Sequence, residues 1–437
     1  MSAIVIGYAS AIALVVALLI GIPVAPAMGL VGLAGMLIGV GSAFTIAQLK
    51  SLPFAVVNNY DFAVLPMFVL MGALAEASGI TALLFRVLQE WLGRVRGALY
   101  QAVVMGSAIF AAVSGSTIVN AVVFTRIAYP EMVKLGYDRS LSIGCIAATG
   151  SFAAMIPPSI TMVIYAIMTE QSVGRLLIAG VVPGVLTAIV YLAGIWLLVR
   201  LRPGLAPPVS PVVDWKARTR SALLVWPILL LIVPVMGGLY SGLYPASAAG
   251  AVGAFIAFLI AVARRRGTRG WLVRVLGESA AISCTMFAIL IGGLLLSRML
   301  VVTGVIDHIV LGITSIASTP ERFMVLACVL YLVLGCFLDT TSMMVVTLPF
   351  VFPIVVALKI DPIWFGIVLV KLIEISVVTP PVGVNLFAVM SAAGKGTQMA
   401  EVVRGVLPFI ALELIVLTLL VVFPELSIWL PNQMLGR

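Results

Sequence analysis

The sequence predicts an all-α polytopic membrane protein made of two inverted repeats, each of five transmembrane helices plus one re-entrant helical hairpin. Three observations predict it. Of the 437 residues, 63% are hydrophobic and 9% charged, with a mean hydropathy of +1.25, whereas a soluble domain carries about 25% charged residues. Apolar runs of about 20 residues, enough to cross a roughly 30 Å hydrocarbon core, recur from end to end. Landmarks of the first half also return in the second at a nearly constant offset. Asp138 matches Asp361 and Pro157 matches Pro380 at 223, Gly115 matches Asp339 at 224, and Gly79 matches Gly304 and Pro183 matches Pro408 at 225. An odd number of crossings per repeat turns the second copy upside down, an arrangement of many secondary transporters.

Taken in order, the first residues lack the basic start of a cleaved signal peptide and read as a retained helix. Helices are expected near 3–22, 27–47, 62–85, 140–168, 176–199, 221–236, 245–263, 277–297, 363–392 and 404–424. Two apolar stretches do not fit as single spans. Residues 97–133 are broken by Ser114-Gly115-Ser116-Thr117, and 323–357 by Asp339-Thr340-Thr341-Ser342. Each arm is about 16 residues, roughly 24 Å of helix, too short for a full crossing and right for a re-entrant hairpin.

The net charge of +9 comes from 25 Lys and Arg against 16 Asp and Glu, and these bases cluster between apolar runs, where they orient helices rather than bind nucleic acid. Arg86, Arg94 and Arg96 precede the first hairpin, and Lys134 and Arg139 follow it, so both its ends read as cytoplasmic. Arg200, Arg202, Lys216, Arg218 and Arg220 in the Pro-rich linker, and Arg264, Arg265, Arg266 and Arg269, read as cytoplasmic too. Threading the spans puts the second hairpin's ends and both termini outside. The expected division is a first repeat over 1–199, a linker over 200–220 and a second repeat over 221–437.

A cation site in lipid needs several oxygen ligands, and unwound backbone supplies carbonyls that a continuous helix keeps for itself. Ser114, Gly115, Ser116, Thr117 and Asn120 are expected to face the helix break at Pro157-Pro158-Ser159, where the proline pair frees carbonyls. Asp339, Thr340, Thr341 and Ser342 are expected to face Thr379, Pro380, Pro381, Gly383 and Asn385. The alternative is that these residues only pack and kink helices. Oxygen ligands suit a hard monovalent cation, and the scattered intramembrane carboxylates make a poor proton relay, so sodium is expected and no transition metal.

Isolated charges in apolar segments are costly and usually functional. Asp339 stands at a tip. Lys371 and Glu374, three apart, read as a structural ion pair. Arg126 either pairs with a substrate carboxylate or snorkels to the cytoplasmic surface, and Glu76 and Glu278 read as interfacial or as lying between subunits. Cys145, Cys284, Cys328 and Cys336 read as small buried hydrophobes. Gly35 and Gly39 form a GxxxG that reads as close packing. Enzyme motifs are missing: the GKGT at Lys395 lacks a phosphate-loop frame, His308 is the single histidine, and Asp138 lacks a second protease aspartate.

The segments AAVSGSTIVNAVVF, PEMVKLGYDRSLSIGCIAATGSFAAMIPPSITMVIYA, AGVVPGVL, FLDTTSMMVVTLPFVFPIV and TPPVGVNLFAV occur in that order. With them the chain resembles the large membrane subunit of tripartite ATP-independent periplasmic (TRAP) transporters, of the ion transporter superfamily. The resemblance implies a multi-pass protein of the bacterial inner membrane. It implies sodium-driven import of small organic anions such as dicarboxylates, keto acids or sugar acids. It also implies a smaller membrane subunit, a periplasmic substrate-binding protein, an elevator-type motion and no cofactor beyond the coupling ion. Substrate contacts would come from Asn120, Arg126, Ser159, Ser342 and Asn385. One departure is Arg126, where a small or neutral residue is expected. The alternatives are a single-component anion symporter of the same superfamily, proton-driven or sodium-driven, a channel, or an intramembrane enzyme.

Overall fold

The computed structural model describes residues 2–93, 95–207, 221, 223–264, 270–316, 319–335, 338–381, 383–394 and 396–435. Several residues used above lie outside them: Arg94, the linker from 208 to 220, Arg265, Arg266, Arg269, Cys336 and Lys395. The described residues are helical, with no strand among them. Among them, seven helical stretches are long and apolar enough to cross a membrane: 60–77, 173–201, 223–240, 246–264, 271–302, 340–357 and 399–422.

The chain opens with α1 (Ala3–Leu19), α2 (Val24–Gly39) and α3 (Ser42–Asn58). The expected span 27–47 is therefore two helices, divided where Gly41 takes φ +109°. A 3-10 turn at Tyr60–Ala63 leads into α4 (Val64–Ala77), then Gly79 at φ +72° starts α5 (Ile80–Leu92). This corrects the span 62–85. A hydropathy window averages across one glycine, although that glycine's freedom at positive φ is what lets the chain turn.

Next come α6 (Ala98–Ser114), α7 (Thr117–Lys134), α8 (Arg139–Gly150), α9 (Ile160–Met168), α10 (Val173–Ala179) and α11 (Val181–Leu201). Then follow α12 (Trp226–Tyr240), α13 (Ala246–Arg264) and α14 (Trp271–Val302). The rest is α15 (Val305–Ile316), α16 (Pro320–Gly335), α17 (Thr340–Ala357), α18 (Pro362–Ser376), α19 (Val384–Ala393), α20 (Met399–Val422) and α21 (Glu425–Leu435). α15 and α21 were not anticipated.

The expected helices 140–168 and 363–392 are each interrupted, between α8 and α9 and between α18 and α19. The order α5 to α9 returns as α15 to α19. Gly304, like Gly79, takes φ +72°. Asp138 caps α8 by accepting from Leu141 N–H at 2.7 Å, and Asp361 caps α18 by accepting from Ile363 and Trp364 N–H at 2.8 and 2.9 Å. An N-cap carboxylate satisfies amides that the first helical turn leaves free.

Two packing groups result. In one, α2 lies along α14, and α4 packs on α13 and α14. In the other, α6 to α8 pack with α19 and α20, while α16 and α17 pack on α18. The tightest approach is α8 on α20: a Cβ on Gly144 would lie 2.1 Å from the Gly405 carbonyl carbon, so the two backbones touch as small residues allow in a membrane. Gly35 also meets a neighbouring helix, at Met299. Contacts of α4 with α6 and of α14 with α17 join the groups. Of the cysteines, Cys145 is buried but Cys284 is exposed on the surface of α14, correcting its expected burial.

Candidate functional site

Both hairpins turn as their sequences dictate. α6 ends at Ser114, Gly115 turns the chain at φ +60°, and Ser116 caps α7 by accepting from Val119 N–H at 3.5 Å. A side chain at Gly115 is excluded twice, by its φ and because its Cβ would stand 2.9 Å from the Pro158 carbonyl oxygen. The first tip therefore touches the first helix break. At the second tip Asp339 caps α17, its Oδ2 accepting from Thr341 and Ser342 N–H at 3.2 Å each.

The tips meet. Gly115, Ser116 and Thr117 from one hairpin and Asp339, Thr340 and Thr341 from the other line a single cavity of about 270 Å³. Its walls include Ile160 and Thr161 after the first break, Val377 and Val384 beside the second, and Ile282 and Met286 of α14. A smaller void of about 90 Å³ shares Ser116, Ile282 and Met286 with it and adds Ser114, Glu76 and Glu278. Glu76 and Glu278 then recur in the wall of a cavity of about 480 Å³ together with Arg126 and Arg274. These spaces form one cleft between α7 and the α4–α14 pair, polar at the tips and charged at its far end.

Arg126 thus stands on the same cleft as the tips. Glu76 and Glu278, expected at the interface, line it as well. Glu76 of α4 and Glu278 of α14 are 202 residues apart in sequence, so neither carboxylate's partner could be read from spacing.

Several buried oxygens around the tips have no hydrogen-bond partner: Ser114 Oγ, Asn120 Oδ1 and Asn385 Oδ1. Asn120 is fully buried, its Nδ2 donating to the Ser107 carbonyl at 3.2 Å, and Asn385 is fully buried, its Nδ2 donating to the Ala147 carbonyl at 3.3 Å. Each amide is therefore anchored through its nitrogen with its oxygen unpaired, and neither asparagine lines the three spaces of the cleft. A buried acceptor without a donor is costly, and a cation is what such an oxygen takes in place of one. Oxygen-only donors fit a hard ion rather than a transition metal.

Other expected site residues are placed differently. Ser159 is fully buried and caps α9, accepting from Met162 N–H at 3.2 Å while its own proton goes to the Ala154 carbonyl. Thr379 donates to the Ile375 carbonyl at 2.7 Å, and Gly383 starts α19 at φ +48°. Pro157 is buried and Pro380 half-buried. Ser342 is buried beneath the second tip. None of these six lines the three spaces of the cleft.

Lys371 and Glu374 are paired at 2.9 Å, as their spacing predicts, but a third member, Glu413 of α20, joins them. The sequence signal for Glu413 was its standing as a lone carboxylate in the apolar run of 404–424.

Comparison with known proteins gives a consistent result. The model of the family described as "Tripartite ATP-independent periplasmic transporter, DctM component" matches residues 11–426. The C4-dicarboxylate TRAP transporter large permease protein DctM of Pseudomonas aeruginosa is 32% identical over 92% of this chain and 93% of its own length. The sialic acid TRAP transporter large permease protein SiaM of Vibrio cholerae is 28% identical over 95% of this chain and 96% of its own. Among solved structures, the Alcanivorax borkumensis YdaH transporter superposes with a TM-score of 0.59 at 14% identity, covering 88% of this chain and 90% of that one. At that identity the likeness is one of fold.

Proposed function

The chain belongs to the tripartite ATP-independent periplasmic transporter family, as its DctM component, and on that premise we propose that it is the large permease of a sodium-driven importer of small organic anions. It is a multi-pass membrane transport protein and not an enzyme. The observation that carries the sodium reading is the meeting of two oxygen-rich tips at one cavity, with Ser114, Asn120 and Asn385 presenting buried oxygens that lack donors. Sodium is held by oxygens of Ser114, Ser116, Thr117 and Asn120 with the first break, and by Asp339, Thr340 and Thr341 with the second. The anion binds along the cleft, its carboxylate taken by Arg126 in a bidentate pair. The ligands named for the relatives above, C4-dicarboxylates and sialic acid, are both carboxylic acids, which fits that role.

The recurring element order and the paired glycines and caps support reading 1–199 and 221–437 as inverted repeats. We read the group holding both hairpins as the body that moves, elevator-fashion, against the group built on α2, α4, α13 and α14, with the cleft between them. In this arrangement both termini are periplasmic and the two hairpin mouths open on opposite faces. A cysteine replacing Gly136, in the turn after the first hairpin, should then be labelled from the cytoplasmic side only. One replacing Lys359, after the second, should be labelled from outside in intact cells. Labelling of both from one side contradicts the inversion.

Partner dependence is tested by reconstitution. Vesicles holding this chain should take up the anion only when the small membrane subunit and a loaded periplasmic binding protein are both supplied. Equal uptake by the chain alone supports the single-component alternative instead.

A further inference from the structure

Away from the cleft, three ionisable side chains meet with no exposure: Lys371 and Glu374 on α18 and Glu413 on α20 are each 0% exposed. Lys371 Nζ lies 2.9 Å from Glu374 Oε2, pairs with Glu413 Oε2, and donates to Thr187 Oγ1 at 3.0 Å. Tyr191 of α11 donates its O–H to Glu413 Oε1 at 2.6 Å. None of the cavities of the cleft is lined by these groups.

The charge count does not close. Two carboxylates face one ammonium, and the other described charges on the surrounding helices are directed elsewhere. Arg175 of α10 donates to Asn432 at 2.8 Å, Arg200 of α11 stands over the Trp196 ring at 5.2 Å, and Arg139 and Arg404 are exposed. Among titratable neutral groups, Cys145 of α8 is a buried thiol, Tyr331 of α16 is bonded to Thr347, and Tyr165 of α9 donates to the Pro362 carbonyl. A fully ionised triad would leave one negative charge uncompensated in the interior, an arrangement that a site relieves by taking up a proton.

The hydrogen inventory says where that proton sits. Ser151 Oγ can donate to the Ala148 carbonyl at 2.7 Å or to Glu374 Oε1 at 3.4 Å, and its single rotatable hydroxyl proton serves the much shorter Ala148 contact. Thr187 likewise gives its proton to the Pro183 carbonyl at 2.8 Å, and so accepts from Lys371. With the serine proton spent, the Ser151–Glu374 contact becomes a hydrogen bond when the carboxyl group is the donor. Glu413 accepts from Tyr191 at Oε1 and faces the Lys371 ammonium at Oε2, as an ionised carboxylate does.

We infer that the Lys371–Glu374–Glu413 triad is a proton-binding site, with the proton on Glu374 Oε1 and donated to Ser151 Oγ. The site clasps the two helix breaks to each other. Ser151 lies six residues before Pro157, and Glu374 six residues before Pro380, so one hydrogen bond joins the segments that lead into both breaks. Tyr191 and Glu413 add a second tie from α11 to α20. The proton is resident rather than carried, since the triad is enclosed.

Infrared difference spectroscopy on the purified full-length chain tests this. The wild type minus Glu374→Gln spectrum should show the carbonyl stretch of a protonated carboxylic acid, and Ser151→Ala should shift that band without removing it. Glu374→Gln, which keeps a donor toward Ser151 and has no proton to release on unfolding, should not lower the thermal midpoint at neutral pH, whereas Glu374→Ala should lower it. A difference spectrum without the band, a band insensitive to Ser151→Ala, or a Gln variant as unstable as the Ala variant would overturn the assignment.

Discussion

Asn120→Leu is expected to raise the sodium concentration that half-saturates uptake by about 100-fold. Losing even an outer partner of a metal site commonly costs about 10–100-fold in affinity, and a direct ligand belongs at the upper end of that range. Leucine keeps the size and burial of the side chain but removes the oxygen that has no donor in the structure. The same variant separates binding from folding. Sodium at about 100 times the wild-type dissociation constant of this site should stabilise the wild type by about 2.7 kcal/mol, read as a rise in thermal midpoint, and the variant, its site then half filled, by only about 0.4 kcal/mol through that site. Unchanged sodium dependence in Asn120→Leu would remove this residue from the site.

Arg126→Gln is expected to raise the substrate concentration for half-maximal uptake by about 10–100-fold, the equivalent of a hydrogen-bonded charge worth about 1.5–3 kcal/mol. Its sodium dependence should stay as in the wild type, because Arg126 stands at the far end of the cleft from the tips. Arg126→Lys should recover only part of the loss, since an ammonium keeps the charge and not the planar fork. A normal substrate response in Arg126→Gln would return this side chain to the snorkelling role.

The tips and breaks were legible from sequence because their chemistry is local. Ser-Gly-Ser between apolar arms, and a proline pair after an apolar run, each announce a turn or a break without any knowledge of the fold. Repetition at one offset then tied them together. What stayed hidden depends on distant packing. Glu76 and Glu278 read as interfacial or between subunits because nothing in spacing says that α4 and α14 pack together and line one cleft with α7. Glu413 read as part of a plain apolar span, since its partners Lys371 and Tyr191 come from two other helices. The division at Gly41 was missed for a different reason. Hydropathy reports how apolar a stretch is and not whether its backbone runs straight, so α2 and α3 merged into one expected span.

The placement of Ser159 and Thr379 is instructive in the same way. Both carry oxygens at the breaks, and both spend their protons on nearby backbone carbonyls, as short hydroxyl side chains do beside unwound helix ends. Their carbonyl neighbours, rather than their hydroxyls, are then what the breaks offer to an ion.

The coupling ion is decided most directly by anion uptake into vesicles that hold this chain with its small membrane subunit and loaded binding protein, under separately imposed gradients. An inward sodium gradient at equal pH should drive accumulation, and a pH gradient without sodium should drive none. Accumulation that follows the pH gradient in the absence of sodium would contradict the account.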